Sequence, residues 1–89
     1  MELNEKFFTY VLKSLSSGKT YIGQTCDLES RVKAHNEGMS PYTKGRGPWK
    51  LIYFEEFPSR AMAMERERYF KTGKGRELLR KKLSAGLRD

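Results

Sequence analysis

Phe7-Phe8-Thr9-Tyr10-Val11-Leu12-Lys13 and Lys19-Thr20-Tyr21-Ile22-Gly23-Gln24 flank the segment Ser14-Leu15-Ser16-Ser17-Gly18, and the pairing of these two flanks decides the fold. Both are rich in aromatic and β-branched side chains, and the segment between them breaks regular structure. Residues 7–13 and 19–24 are therefore expected to form a β-hairpin. A register that pairs position 12 with 21 and 10 with 23 sends the Tyr10 and Tyr21 phenols out of one sheet face, with Gly23 leaving open space across from Tyr10. The opposite face then carries Phe7, Val11 and Ile22, an ordinary core.

Working outward, Asp27 precedes Leu28, Val32 and His35, which share one helical face, and Gly38 stands where such a helix stops. A helix over about 27–37 follows. From Gly38 to Pro48 three glycines and two prolines surround Tyr42, Thr43, Lys44 and Arg46, which makes a polar, basic loop. Trp49 to Phe57 reads as a mostly buried strand stopped by Pro58. Ser59 caps a helix running to about Thr72; Gly73-Lys74-Gly75 interrupts it, and a basic helix continues through Leu78, Leu79 and Leu83. The order β-β-α-β-α-α predicts an α+β domain, a mainly antiparallel sheet with helices packed on it.

Composition narrows the function. The 89 residues are read as a single domain over 1–89, and the 37% hydrophobic residues with the 8 glycines come to about 46%, the globular range, so a folded rather than disordered chain is expected. The net charge is +7, and residues 46–89 account for +6 of it (12 Lys/Arg against 6 Asp/Glu), which favours a polyanionic partner over a small neutral ligand. Cys26 is the one cysteine and no Cys/His pattern has zinc spacing, so a disulfide scaffold and a zinc finger are excluded. The apolar run Phe7 to Leu12 follows Glu2 and Glu5, so neither a signal peptide nor a membrane span is expected, and the cytoplasm is the default location.

Three groups carry candidate chemistry. Glu65 shares a helical face with Ala61, Met62 and Tyr69, a face expected to point inward, where a carboxylate must pair with a cation or hold a metal. A pair with Arg66, Arg68 or a more distant arginine is the purely structural alternative. Arg31 and His35 stand four apart on the first helix and could both address a phosphate, although a single helix histidine is more often incidental. Tyr10 and Tyr21 are the hairpin phenols, and strand tyrosines usually just pack.

Tyr21-Ile22-Gly23, with Tyr10 eleven residues earlier and Arg31 ten residues later, resembles the signature of the GIY-YIG nuclease superfamily. The likeness extends through Asp27-Leu28, Ala34-His35-Asn36, Tyr42-Thr43-Lys44, Pro48, Glu55-Glu56 and Glu65, and covers residues 7–83. With the string Phe70 to Arg76 it is most similar to the small stand-alone bacterial members. The resemblance implies an α/β sandwich on a three-stranded antiparallel sheet. It further implies that Tyr10, Tyr21 and Arg31 flank a scissile phosphate, that His35 is polar and active, and that Glu65 binds one divalent cation, Mg²⁺ or Mn²⁺. Phe8-Thr9-Tyr10 lacks the first motif's glycine. No asparagine follows Asn36, whereas many family enzymes carry one on the last helix.

On this reading the protein is a metal-dependent endonuclease acting on DNA, with structure-selective rather than sequence-selective cleavage of branched or single-stranded forms, or a partner protein supplying specificity; DNA repair is the family association. Tyr21 is the expected general base, Tyr10 holds the water or phosphate, and Arg31 binds non-bridging oxygens. Lys44, Arg46, Lys50, Arg68, Lys71, Lys74 and Arg76, with Arg66, Arg80, Lys81 and Lys82, would bind backbone phosphates. Two alternatives stay open: a binding module of the same fold that is weak or inactive in catalysis, and an interaction domain whose basic face meets an acidic protein.

Overall fold

The computed structural model describes residues 5–86. Strand β1 (Phe7–Ser14) is central, flanked by β2 (Thr20–Thr25) and β3 (Trp49–Phe57) in the order β2-β1-β3, and both pairings are antiparallel. Helices α1 (Leu28–Asn36), α2 (Arg60–Phe70) and α3 (Gly73–Gly86) complete the predicted β-β-α-β-α-α order. The hairpin has the expected register: Tyr10 pairs with Gly23 and Leu12 with Tyr21. The space across from Tyr10 is not open, however. The Tyr10 ring itself fills it, and a Cβ built on Gly23 would lie 2.5 Å from the phenolic oxygen.

Because side chains alternate along a strand, β1 divides the interior into two layers. Val11 and Ile22 pack with Phe70 and Leu79 under α2 and α3, whereas Tyr10 and Leu12 pack with Trp49, Tyr21, Leu28 and Val32 under α1. A register shift on β3 sharpens this division. Val11 pairs with Tyr53 and Leu12 with Leu51, so Ile52 is an extra residue, and the bulge turns Tyr53 to the α2 side while Leu51 stays on the α1 side.

The predicted caps are present. Asp27 accepts the Ser30 N–H at 3.1 Å, Ser59 accepts that of Met62 at 3.2 Å, and Gly38, with φ +77°, ends α1. The expected interruption over Gly73-Lys74-Gly75 is corrected to a shorter break. Thr72 Oγ1 caps α3 by accepting Gly75 N–H at 3.0 Å, so all three residues belong to the first turn of that helix. Gly75 is needed for contact rather than flexibility: a side chain there would collide with the Tyr69 carbonyl oxygen. Among the described residues no helix is long and apolar enough to cross a membrane.

Candidate active site

The α1 layer buries a polar cluster. Tyr10 and His35 are each 1% exposed, and the Tyr10 hydroxyl lies 2.9 Å from His35 Nε2. Arg31, one turn before His35, donates from Nε to the same hydroxyl at 3.4 Å. His35 is fixed from behind by buried Thr43, whose Oγ1 is 2.7 Å from Nδ1. The polarity follows from the end of the chain. Thr43 Oγ1 donates to the Ser40 carbonyl at 3.4 Å, so it accepts from His35 Nδ1–H, and Nε2 is left to accept the Tyr10 proton. The Thr43 carbonyl in turn accepts from Trp49 Nε1 at 3.0 Å, which ties the loop to β3.

Electrostatics follows burial. Loss of hydration pushes the Tyr10 pKa up to about 12 despite the opposing Arg31 hydrogen bond, so the resting group is a neutral phenol. Burial first, and the Arg31 charge second, lower the His35 pKa below 6.5, so the imidazole is neutral at pH 7 and able to take a proton. Tyr21 sits half-buried at the rim with its ring 4.9 Å from that of His35 and 5.5 Å from that of Tyr42. Arg46 lies over the Tyr42 ring at 5.1 Å.

The expectation that Ala61, Met62, Glu65 and Tyr69 face inward is overturned. Ala61 and Glu65 are exposed, as are Met62 at 46% and Tyr69 at 38%. The buried stripe is instead Ala63 and Phe70, both 0% exposed, with half-buried Arg66 and Glu67 between them. Ala-Met-Ala-Met at 61–64 is apolar all round the helix and gives no phase. The phase comes from Thr9, whose hydroxyl donates to the Ala63 carbonyl at 2.7 Å and draws that side onto β1. Arg66 is paired with Glu55 on β3 at 2.7 Å, not with Glu65.

Glu67 is thus the carboxylate on the inward side of α2. Its charge acts on the Tyr10 phenol, and its Oε2 holds the Lys71 ammonium at 2.9 Å. Among the described residues no three His, Cys, Asp or Glu side chains cluster; the single Glu67 carboxylate is a hard oxygen donor of the type a Mg²⁺ ion takes, in a site where it already holds one cation. Of the predicted basic residues, Lys71 and Arg76 line a groove that also contains Tyr21 and Tyr42. Lys44, Lys50, Arg68 and Lys74 are exposed, Lys50 opposite Lys13 in the sheet. Sequence reasoning missed Thr43 and Glu67 as site residues. The Thr43 role has no periodic signal, whereas Glu67 could have been found from the i, i+4, i+7 spacing with Ala63 and Phe70.

Paired strand phenols face a helix-borne guanidinium and imidazole on the three-stranded sheet of a small α+β domain. The chain belongs to the GIY-YIG family: residues 6–82 match its catalytic domain, and nucleases of that family generally use a divalent metal and act on nucleic acid. It is similar to UPF0213 protein YazA of Bacillus subtilis, 47% identical over 81 residues that span 88% of this chain and 80% of that one. UPF0213 protein HQ_3675A of Haloquadratum walsbyi is 38% identical over 71 residues, 79% of each chain. The solution NMR structure of UPF0213 protein BH0048 from Bacillus halodurans aligns with a TM-score of 0.50 at 35% identity, covering 83% of this chain and 81% of that one.

Proposed function

We propose that the protein is a metal-dependent endonuclease that hydrolyses phosphodiester bonds in DNA, selecting by structure rather than by base sequence. The observation that carries this reading is the buried Tyr10 hydroxyl, held between the Arg31 guanidinium and the His35 imidazole beside the half-buried Tyr21. Hydrolysis needs a proton removed from water while negative charge gathers on the phosphoryl oxygens. Tyr10 would receive the water proton as it passes its own to neutral His35 Nε2, a step that leaves imidazolium hydrogen-bonded to Thr43. Tyr10 therefore takes the proton-handling role assigned above to Tyr21. Tyr21, at the rim, would hold the phosphate or water.

Arg31 makes none of the ion pairs among the described residues, so no carboxylate competes with non-bridging oxygens for its guanidinium. Glu67, in place of Glu65, would hold Mg²⁺ or Mn²⁺ after displacing Lys71. When bound, the ion would stabilise charge on the phosphate and on the leaving oxygen. Lys44, Arg46, Lys50, Arg68, Lys71, Lys74 and Arg76 would bind backbone phosphates, with affinity falling steeply between roughly 50 and 200 mM salt.

The test compares two carboxylates two residues apart. Glu67→Ala is expected to abolish Mg²⁺-dependent cleavage of plasmid, branched and single-stranded DNA while retaining DNA binding, and Glu65→Ala to cleave as wild type. Loss of cleavage in the Glu65 variant alone would return the metal to the outer face of α2. Binding without cleavage by the wild-type protein in either metal would make it a non-catalytic DNA-binding module.

A further inference from the structure

Beside the phenol pocket runs a groove of about 840 Å³ between the outer edge of β2 and helix α3. Its walls carry Lys19, Lys71, Arg76 and Arg80 and no acidic residue, and it runs up to Tyr21 and Tyr42. One wall is the edge strand β2, which presents unpaired backbone groups on that side. Tyr42 is 56% exposed, although it is a large aromatic standing directly next to a candidate catalytic phenol. Packing does not explain that exposure. The ring leans on Tyr21 at an interplanar angle of 32° and carries the Arg46 guanidinium, so it is a fixed platform rather than a loose side chain.

We propose that this groove takes one unpaired strand of nucleic acid leading to or from the scissile phosphate, with a base stacked on Tyr42 in place of the Arg46 guanidinium, which moves to a phosphate. The proposal rests on the nuclease reading and names its substrate class. Lys19, Arg76 and Arg80, with Lys71 held at the groove by Glu67, match a phosphate backbone, and an exposed aromatic at the mouth matches the face of a base, the two features that single-strand sites combine. A base inside a duplex is already stacked on its neighbours and cannot be offered to Tyr42.

The experiment measures fluorescence anisotropy of a labelled oligonucleotide, single-stranded and as its duplex, in EDTA so that no cleavage intervenes. The single strand is expected to bind tighter than the duplex. Tyr42→Ala should weaken single-strand binding by roughly 5- to 100-fold, as loss of a stacked base does, with Tyr42→Phe restoring it and duplex binding moving by less than about twofold. An abasic single strand should be insensitive to Tyr42→Ala. Arg76→Ala with Arg80→Ala should lower the salt slope for the single strand by about 1.4, two phosphate contacts at roughly 0.7 each. Duplex binding equal to or tighter than single-strand binding, or an equal effect of Tyr42→Ala on both, overturns the groove assignment. A protein that meets the binding expectations yet cleaves nothing in Mg²⁺ or Mn²⁺ loses the nuclease reading alone, and one that cleaves duplex while failing them loses the groove alone.

Discussion

On the α2/α3 side of the sheet, Val11, Ile22, Phe70 and Leu79 bury apolar surface, and the polar groups there close on each other: Glu55 accepts from Arg66 at 2.7 Å and from the Tyr53 hydroxyl. On the α1 side Tyr10, His35 and Thr43 are buried equally deeply, yet their hydrogen bonds run in a line that ends at Arg31, beside the half-buried ring of Tyr21. One β-strand supplies both layers. The first layer uses burial for cohesion, and the second uses it to hold a phenol and an imidazole neutral and aligned. A closed polar network resists change, whereas an open one leaves a place for a substrate.

The sharpest way to break this contrast is to empty each layer in turn. Phe70→Ala should cost about 3–5 kcal/mol in denaturant unfolding because it leaves a cavity beneath both helices. Tyr10→Phe should cost only about 1–3 kcal/mol, from a buried imidazole nitrogen left without a donor, while lowering cleavage by roughly 10²–10⁴-fold. Equal stability losses for the two would deny that the layers differ. Next in size, Gly23→Ala forces a methyl into the Tyr10 hydroxyl and should destabilise by about 1–3 kcal/mol, with a disproportionate loss of activity. A structure of that variant with Tyr10 unmoved would contradict the account of this glycine.

Thr43→Val keeps the shape and removes the acceptor of His35 Nδ1–H, for a cost of about 1–3 kcal/mol. If Thr43 positions the relay rather than merely packing, the acid limb of the cleavage pH profile should shift as well, and Thr43→Ser should restore it. An unshifted profile would make Thr43 a packing residue.

The smallest effects distinguish the layers by pH. The folded pKa of His35 lies below its ordinary 6.5, so the unfolded chain binds the proton first; its contribution is intact above pH 6.5 and declines as pH falls below it. Burial opposes ionisation of Glu55, but the hydrogen bonds from Arg66 and Tyr53 outweigh it and hold the folded pKa below 4.5. Its stabilisation is complete above 4.5 and fades as pH drops through the folded value. The melting temperature should therefore fall in two acid phases. His35→Gln should remove the upper one and Glu55→Gln the lower one, and a single phase untouched by either variant would refute both assignments.

Much of the architecture is legible in the residue order. The hairpin register, both N-caps, the glycine stop after α1 and the strand 49–57 follow from local composition and alternation, because each depends on neighbours a few residues apart. The phase of α2 does not. Four consecutive apolar residues at 61–64 satisfy any face, and long-range contacts set the phase instead: Thr9 on the Ala63 carbonyl, Phe70 on Val11 and Ile22, and Arg66 on Glu55 leave Glu67 half-buried and Glu65 exposed. The bulge at Ile52 is equally silent in the sequence, since it exists only through the mismatch between β1 and β3.

The chain by itself determined that two phenols emerge beside one another and that a guanidinium and an imidazole stand one helical turn apart, because strand alternation and helical pitch are local geometry. Tertiary structure alone decided that these groups meet, that Thr43 sets the polarity of the imidazole, and which glutamate of α2 is half-buried and which exposed. Those outcomes depend on how separate elements dock, and docking is settled by long-range contacts that no short window of residues contains.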